Sequence, residues 1–436
     1  MTESAFTADA SRDLGGPEWL VRRRAAAFET LANTTWPTSA EEIWRYSRVD
    51  EFDLSGYAPF SAAELGEPGA ERAPGGGPVA AEAGEHGALV VVRNGRVVHC
   101  EMDDKLQVLG VTVCDLATCE PNGVAELGSI ADASPDAFTV LNDAFLAGGV
   151  LVRVPRGAVV DAPIVIVHWS DGDGRASFPR TLVVAGENSE CSVVERFGST
   201  GAHLVDAVVE LQLHDAARLK YLAVQDHGPK TWSVTLQRAH VGRDASLRSS
   251  TIALGGDYAR LRTETRLVDQ GADTNAIAVY FGDGSQMLDF RTLQDHAAPH
   301  TTSDLLFKGA VEDTASSVYS GMVHIRPQAQ RTVANQTNRN LVLTEGARAE
   351  SIPNLIIEAN DVKCSHGSTV GPIDDDQRYY LESRGIPPEE AERLIVLGFF
   401  EDVFERLPVP SLVDRLRHAV AEKVGELGTH AGGAKR

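Results

Sequence analysis

The sequence has few of the features that mark several common classes of protein. Lys and Arg number 40 against 62 Asp and Glu in 436 residues, which gives a formal net charge of −22. Such an acidic surface disfavours nonspecific binding to nucleic acid or to anionic membranes. No stretch approaches the ~18 apolar residues of a transmembrane helix, and the first residues lack the basic-then-apolar order of a signal peptide. We therefore expect a cytoplasmic protein that contacts neither nucleic acid nor membrane.

Cysteine is scarce and scattered. The five cysteines stand at positions 100, 114, 119, 191 and 364, an odd and irregular set unlike a disulfide framework. No C-x-x-C pair occurs, and no His or Cys follows Cys114 and Cys119 at the spacing of a zinc site. A complete metal site within this chain is therefore not expected, whereas a site shared with another chain stays open.

Motifs of common enzymes are also missing. There is no Gly-Lys dipeptide and hence no P-loop, so the chain is not expected to hydrolyse ATP itself. Neither a G-x-S-x-G nor an H-E-x-x-H pattern occurs. Asp289, Arg291, Asp295 and His296 could serve the acid–base chemistry of a carbohydrate-active enzyme. The favoured alternative is a polar outer strand face with a local ion pair.

The N-terminal part, residues 1–60, is predicted to form a helical domain. Apolar residues at helical spacing indicate one helix. The capping-box pattern Thr38–Glu41 predicts a second helix that carries Ile43, Trp44 and Tyr46. Such a domain is typical of an amphipathic cap that packs on something larger.

A change of composition separates this domain from the rest. Residues 61–87 are rich in Ala, Gly, Glu and Pro, which predicts a flexible linker. Residues 88–149 are predicted to be a mixed α/β lead-in. It begins with two short apolar runs around Asn94-Gly95, the strongest short-range signal for a β-hairpin.

Short β runs separated by polar turns fill residues 150–371. Turns of related composition begin at Gly186, His214, Gly242 and Gly271, at an interval of about 28 residues. A near-constant interval predicts stacked coils, each of which buries its inner face against its neighbours. The fold class is therefore mainly β: a parallel β-helix (β-solenoid) core flanked by N-terminal and C-terminal α-helical domains.

The chain becomes helical again over residues 372–427, and 428–436 are predicted to be a disordered tail. Asp374 is positioned to cap a helix that ends at Gly385, and Pro387-Pro388 begins the next helix. The predicted apolar stripe of that next helix can either bind a partner or pack on the end of the solenoid. It consists of Ala391, Leu394, Ile395, Phe399 and Val403.

A thiol and an imidazole stand two residues apart in the segment Asp361–Gly371, which reads DVKCSHGSTVG. On a strand, residues i and i+2 point to the same face, so Cys364 and His366 would face a metal, sulfur or a partner together. By spacing alone the simpler alternative is favoured, namely a buried cysteine and a histidine held by a backbone hydrogen bond.

A dense series of segments resembles the SufB/SufD family of iron–sulfur cluster assembly scaffolds. Their order and spacing over more than a hundred residues are more specific than any short motif. Within the family the chain is more similar to SufD, because SufB-like chains usually carry Glu where Gly367 stands and have more cysteines in the core. The matching segments are Asp289–His296, Pro299–Asp304, Phe307–Gly309, Ser317–Gly321, Ala329–Gln330, Asn335–Leu341, Pro353–Glu358, Asp361–Gly371, Tyr379–Ile386 and Gly398–Phe399, with Glu42–Tyr46 in the helical domain.

This resemblance implies a right-handed parallel β-helix that pairs with a SufB paralogue. It also implies a non-catalytic subunit that binds the ABC-type ATPase SufC through its C-terminal helices, here by Leu394, Ile395, Phe399 and Val403. A cluster is built near the SufB–SufD interface in this family. His366 and Cys364 are therefore expected to form part of a transient iron or nascent-cluster site shared with SufB.

Other roles within the resemblance stay open. The chain could instead be the SufB paralogue, which acts as the main scaffold. A SufD homodimer also stays open, and the resemblance assigns no flavin site to the residues quoted.

Overall fold

The computed structural model describes residues 5–66, 85–131 and 136–425. Strands form a parallel β-solenoid of about eight turns, and helices lie at both ends of the chain, which confirms the predicted fold class. The predicted tail 428–436 and residues 67–84 of the predicted linker lie outside the described residues. Within the described ranges, no helix is both long and apolar enough to cross a membrane.

From β8 onward, successive strands, numbered in chain order, alternate between two sheets, so that each of these coils contributes one strand to each sheet. The 11-stranded first sheet contains β1 (Ala58–Pro59), β4 (Thr112–Asp115), β5 (Val150–Val154), β7 (Arg175–Ser177), β8 (Arg180–Ala185), β10 (His203–Leu213), β12 (Trp232–Val241), β14 (Tyr258–Leu267), β16 (Met287–His296), β18 (Ser316–Ile325) and β20 (Arg348–Ile357). The 10-stranded second sheet contains β2 (Ala88–Arg93), β3 (Arg96–Met102), β6 (Ile164–Ser170), β9 (Glu190–Ser199), β11 (Arg218–Asp226), β13 (Ser246–Ala253), β15 (Asp273–Gly282), β17 (Thr302–Val311), β19 (Thr332–Val342) and β21 (Val362–Gly371).

The repeated turns stack at one corner of the solenoid. Each contains a residue with a left-handed backbone: Asn188, Ala216, Asp244 and Gly271 have φ values of 55°, 56°, 53° and 76°. The amide of Asn188 donates to a carbonyl in the next turn at 2.8 Å, and the amide of Ala216 does the same at 2.7 Å. The interval seen in the sequence therefore corresponds to one coil, as predicted.

Side chains from both sheets meet in a shared interior. In the early coils this interior is aliphatic, with Val193 and Leu219 of the second sheet in the same cluster as Val209 of the first. Further along, aromatic rings cross it: the ring centroids of Tyr280 and Phe290 lie 4.4 Å apart. Because each coil buries its inner face only against its neighbours, the core extends along the whole stack.

The predicted hairpin is confirmed. Asn94 and Gly95 have φ values of 53° and 88°, the positive values that a two-residue type I′ turn requires. The hairpin joins β2 to β3 in antiparallel pairing, and β2 then pairs in parallel with β6. The lead-in thereby closes the first coil of the second sheet.

Helices cover the outer faces of the two sheets. N-terminal residues pack with Trp232 and Tyr258 on the first sheet and with Phe138 of the helix Ala137–Ala144. The C-terminal helices pack with Val279 and Phe281 on the second sheet. The α-helices are α1 (Ala8–Asp13), α2 (Glu18–Leu31), α3 (Ala62–Leu65), α4 (Asp104–Val108), α5 (Ala137–Ala144), α6 (Asp375–Ser383), α7 (Pro388–Phe404) and α8 (Val413–Gly425). Short 3₁₀ turns span Glu42–Trp44, Val49–Glu51, Leu54–Gly56, Leu116–Thr118, Pro121–Val124 and Pro410–Leu412.

Part of the predicted linker is ordered. Ser61 caps α3 by a reciprocal capping box with Glu64, and Glu64 also accepts a hydrogen bond from Arg175 at 2.6 Å. Residues 61–66 are therefore attached to the solenoid by this ion pair, which the composition of the segment does not indicate.

The second N-terminal helix was wrongly predicted. Only the 3₁₀ turn Glu42–Trp44 forms, although Glu41 does accept one capping-box bond from the Thr38 amide at 3.1 Å. Two arginines of the solenoid donate to the carbonyls of Ile43 and Arg45, at 2.8 and 2.7 Å. Those carbonyls are therefore unavailable for the i→i+4 bonds of an α-helix.

These two arginines belong to a buried charge cluster, which we call the Asp289 clamp. Asp289 is fully buried and accepts hydrogen bonds from Arg260 at 2.5 Å, from Arg291 at 2.6 Å and from Tyr258 at 2.8 Å. Burial opposes ionisation, but the charges of Arg260 and Arg291 lower the pKa of Asp289 below its ordinary value. The clamp holds the N-terminal segment on the first sheet, where the Arg260 guanidinium lies 3.7 Å from the centroid of the Trp44 ring.

The C-terminal helix boundaries agree with the prediction, but the buried face of α7 shares only Ala391 and Val403 with the predicted stripe. Asp374 caps α6 through the amides of Asp376 and Gln377, and Gly385 has a φ of 86°. In α7 the buried residues are Ala391, Val396, Phe400, Val403 and Phe404.

The shift of the stripe has a physical reason. Apolar residues lie on most sides of α7, so their spacing in the sequence does not determine which side of the helix is buried. That face is set by the outer surface of the second sheet and by Lys308, whose ammonium donates to the Phe399 carbonyl at 2.8 Å and to Asp402 at 2.6 Å. The helix thus packs against a sheet face and not on the solenoid end.

We predict that Asp289→Ala destabilises the fold by about 3–5 kcal/mol, because it leaves two buried arginines without their counterion. The measurement is urea unfolding of the full chain. The matched control is Glu187→Ala, which removes an exposed ion pair with Arg156 and should cost less than about 1 kcal/mol. Equal losses for the two variants would contradict a stabilising clamp.

Candidate functional site

Among the residues that the structure describes, no further coil covers the last two strands of the solenoid. Among the described strands, β20 hydrogen-bonds only to β18 and β21 only to β19. The outer edges of β20 and β21 therefore present backbone amide and carbonyl groups that no described strand pairs. Free strand edges of this kind are templates for pairing with another chain. We call this region the open end.

Cys364 and His366 both lie at the open end, on β21. In the parallel register they stand next to Ala334 and Gln336 of β19, whose side chains are buried in the interior. Cys364 and His366 therefore point along the same inner face, as predicted from their spacing. Cys364 is half-buried and His366 is exposed, because no further coil covers them.

The environment of Cys364 favours the neutral thiol. The thiol packs at the edge of an apolar cluster that contains Val323, Ile325 and Ala334. Burial raises its pKa, and a backbone hydrogen bond at Ala334 opposes part of that rise. Since the thiolate is the form that binds metals, Cys364 would be a weak ligand until a bound cation displaces its proton.

The two side chains do not complete a metal site by themselves. Across the residues that the structure describes, no group of three or more His, Cys, Asp or Glu is arranged to hold a metal ion. An iron–sulfur cluster is usually held by four protein ligands, mostly thiolates with occasional imidazoles. Cys364 and His366 are of suitable chemistry but supply only half of that number.

Exposed apolar side chains also lie on the last two strands at the open end, and the sequence reasoning missed them. Ile356, Ile357 and Val370 are 46%, 44% and 43% exposed. Ile357 and Val370 occupy inward positions that an additional coil would bury. The sequence does contain a signal for this exposed surface. β20 and β21 carry apolar residues on the inner face, although they are the last strands before a helical region.

The carbohydrate-type cluster is not assembled. Asp289 and Arg291 lie on the same strand face, as predicted, but they are buried in the clamp. Asp295 lies on the outer face with Arg326, at 2.7 Å. His296 turns inward, where its ring nitrogens contact Thr301 at 2.8 Å and Ser303 at 2.9 Å. These residues therefore form separate structural contacts.

The residues predicted to bind a partner on α7 differ in exposure. Leu394 is 40% exposed, Ile395 and Phe399 are half-buried, and Val403 is completely buried against the second sheet. The neighbouring helix α6 adds Tyr379, which is 72% exposed. Leu394, Tyr379 and the adjacent Tyr380 are therefore large exposed side chains that this helical region offers to another protein.

Comparison with known proteins decides the family. The family profile described as "SUF system FeS cluster assembly, SufBD core domain" matches residues 168–399. The chain belongs to the SufB/SufD family. An iron–sulfur cluster assembly SufBD family protein of Mycobacterium tuberculosis is 40% identical over 298 residues, which cover 66% of this chain and 73% of that protein.

Two further relatives extend this finding. The iron–sulfur cluster assembly protein SufD of Bacillus subtilis is 31% identical over 351 residues, covering 78% of this chain and 80% of its own. A SufBD family protein of a Synechocystis species is 26% identical over 419 residues and covers 92% and 90% of the two chains. Membership of the SufB/SufD family therefore confirms the resemblance that the sequence motifs indicated.

Proposed function

We propose that this chain is a SufD-like subunit that builds iron–sulfur clusters together with a SufB paralogue and a SufC-type ATPase. The observation that carries the proposal is the position of Cys364 and His366 beside two free strand edges. A cluster or iron ion bound there is the cargo of assembly, held in passing and then released. Two ligands on this side leave the remaining ligands to the partner.

The free edges suggest how the paralogue binds. A second solenoid that continues the hydrogen bonding of β20 and β21 would pair the unpaired backbone groups. It would also cover Ile357 and Val370 and bring its own ligands beside His366. Binding of the paralogue would therefore also complete the cluster site.

The SufD role is favoured over the SufB role by the ligand set. Cys191, the other cysteine within residues 150–371, is fully buried, and burial raises the pKa of its thiol to about 12. Gly367 stands where SufB-like chains usually carry Glu, and a Cβ atom there would meet nothing within 4 Å. The space around Gly367 would therefore admit an acidic side chain. We take the absence of an acidic residue there to reflect a set of ligands different from that of SufB-like chains.

We propose that the chain is a non-catalytic subunit and that ATP hydrolysis belongs to the SufC-type partner. The exposed surface around Leu394 and Tyr379 is the proposed docking surface for that ATPase. Two ion pairs attach the C-terminal helices to the second-sheet side of the solenoid, each with an N–O distance of 2.6 Å. Lys308 of β17 pairs with Asp402 of α7, and Lys423 of α8 pairs with Asp283, which follows β15. A movement of the ATPase would thus reach the solenoid through these two attachments.

We predict that His366→Ala lowers the yield of assembled cluster by roughly tenfold, the scale expected when a metal-site residue is lost. Cluster absorbance and the content of iron and sulfide would be measured in the complex reconstituted with the SufB-like and SufC-like chains of the same host. Cys364→Ser should have a smaller effect, because its thiol is protonated at neutral pH. His214→Ala, in an exposed turn, is the control. An unchanged yield for His366→Ala in an intact complex would refute the ligand role.

We predict that the double variant Ile357→Lys/Val370→Lys loses the SufB-like partner in co-purification, because two charges would be buried at the joint. The isolated chain should keep its melting temperature, since both side chains are already exposed. Val159→Lys, at a position that is 53% exposed, is the control. Retention of the partner by the double variant would rule out pairing through the open end.

We predict that Leu394→Asp weakens binding of the ATPase about tenfold or more, as expected when an apolar contact at an interface is replaced by a charge. Titration calorimetry with the purified ATPase measures this, and pull-down of the SufB-like chain should be unaffected. Val108→Asp, at a position that is 88% exposed, serves as the control. Equal affinities for Leu394→Asp and wild type would place the ATPase elsewhere.

A further inference from the structure

Two cysteines outside the proposed site lie in direct contact. Cys114 is on β4, and Cys119 follows the 3₁₀ turn Leu116–Thr118. The Asp115 side chain caps that turn by accepting from the Ala117 amide at 2.9 Å. The turn brings the two Sγ atoms to 2.9 Å from each other, whereas a covalent S–S bond is ~2.05 Å long.

The two sulfur atoms share a hydrogen bond in which either can be the donor. The hydrogen bond with Cys114 lowers the pKa of Cys119, and the positive charge of Arg153 adds to this effect. The same hydrogen bond and burial raise the pKa of Cys114. Cys119 is therefore the more readily ionised thiol and the better nucleophile of the pair, and Cys114 holds its proton more strongly.

Neither cysteine is fully buried. They lie at the border of an apolar cluster with Leu116 and with Trp19 of α2. The backbone carbonyl of Cys119 also accepts a hydrogen bond from the Trp19 indole at 3.1 Å. The turn that joins the two cysteines therefore also holds the N-terminal helix.

We propose that Cys114 and Cys119 form an oxidisable dithiol that closes to an intramolecular disulfide when the protein meets a hydroperoxide. In the first step the Cys119 thiolate attacks hydrogen peroxide, the O–O bond breaks, and the product is a sulfenic acid and hydroxide, which is protonated to water. In the second step Cys114 attacks the sulfenic sulfur, the S–S bond forms, and the oxygen leaves as a second water molecule. Two thiols are oxidised and one peroxide is reduced.

The disulfide would act locally. It closes a short loop, so it constrains the unfolded chain less than a long-range disulfide would. Its direct effect is on the turn Leu116–Thr118, whose position supports the contact between Cys119 and Trp19. Oxidation should therefore slow hydrogen exchange in this turn and leave the distant open end unchanged.

Peptide mapping of the full chain tests the proposal. Reduced protein is treated with hydrogen peroxide or buffer, alkylated and digested with trypsin. Both cysteines then fall in one peptide, residues 106–153, which has no internal Lys or Arg. The expected result is a peptide that has lost two hydrogen atoms and takes no alkyl group until it is reduced.

Variants decide whether this pair is the reacting one. Cys119→Ser should abolish the oxidised peptide, whereas Cys100→Ser should leave it intact. Cys100 is the matched control because its exposed thiol lies nearby, with Sγ 3.4 Å from the Val113 carbonyl. The proposal is overturned if both cysteines stay alkylatable after peroxide treatment, if Cys100 replaces either partner, or if Cys119 is oxidised to sulfinic acid without a disulfide.

Discussion

The pairing of each coil with the coil before and after it is the constraint on which this structure depends. A parallel strand pair satisfies its backbone groups only if another strand lies on each side. Within the stack this condition is met, and inward side chains are buried between neighbouring coils. At β20 and β21 it is not met within the described chain, and the same positions that form the core elsewhere are exposed. The open end is thus a direct result of where the stacking stops.

The N-terminal and C-terminal regions cover the outer faces of the two sheets of the solenoid. The first sheet is covered by N-terminal residues that the Asp289 clamp holds in a non-helical conformation. The second sheet is covered by α7 and α8, which two lysines tie down. In both cases a charged side chain on the outer face of a strand holds the covering segment in place. An apolar face alone would leave the position of that segment undefined.

The two sites that we propose lie at opposite ends of the same stack of coils. β4, which carries Cys114, is at the far end of the first sheet from β20. Cys364 and His366 stand at the open end, where a partner would complete their coordination. The contact of Cys114 with Cys119 needs no partner, since one turn of chain brings both sulfurs together. The dithiol that we propose at one end and the assembly site that we propose at the other therefore share no residue.

Local patterns in the chain were sufficient to predict the coils, the hairpin at Asn94-Gly95 and the caps of α6, because each depends on residues close in sequence. The same face for Cys364 and His366 followed from the two-residue period of a strand. Tertiary contacts decided the rest: Arg260 and Arg291 removed a predicted helix, and the second sheet selected the buried face of α7. The nearness of the Cys114 and Cys119 sulfur atoms and the exposure of His366 were also decided in three dimensions, since both depend on how the backbone turns and where the last coil ends.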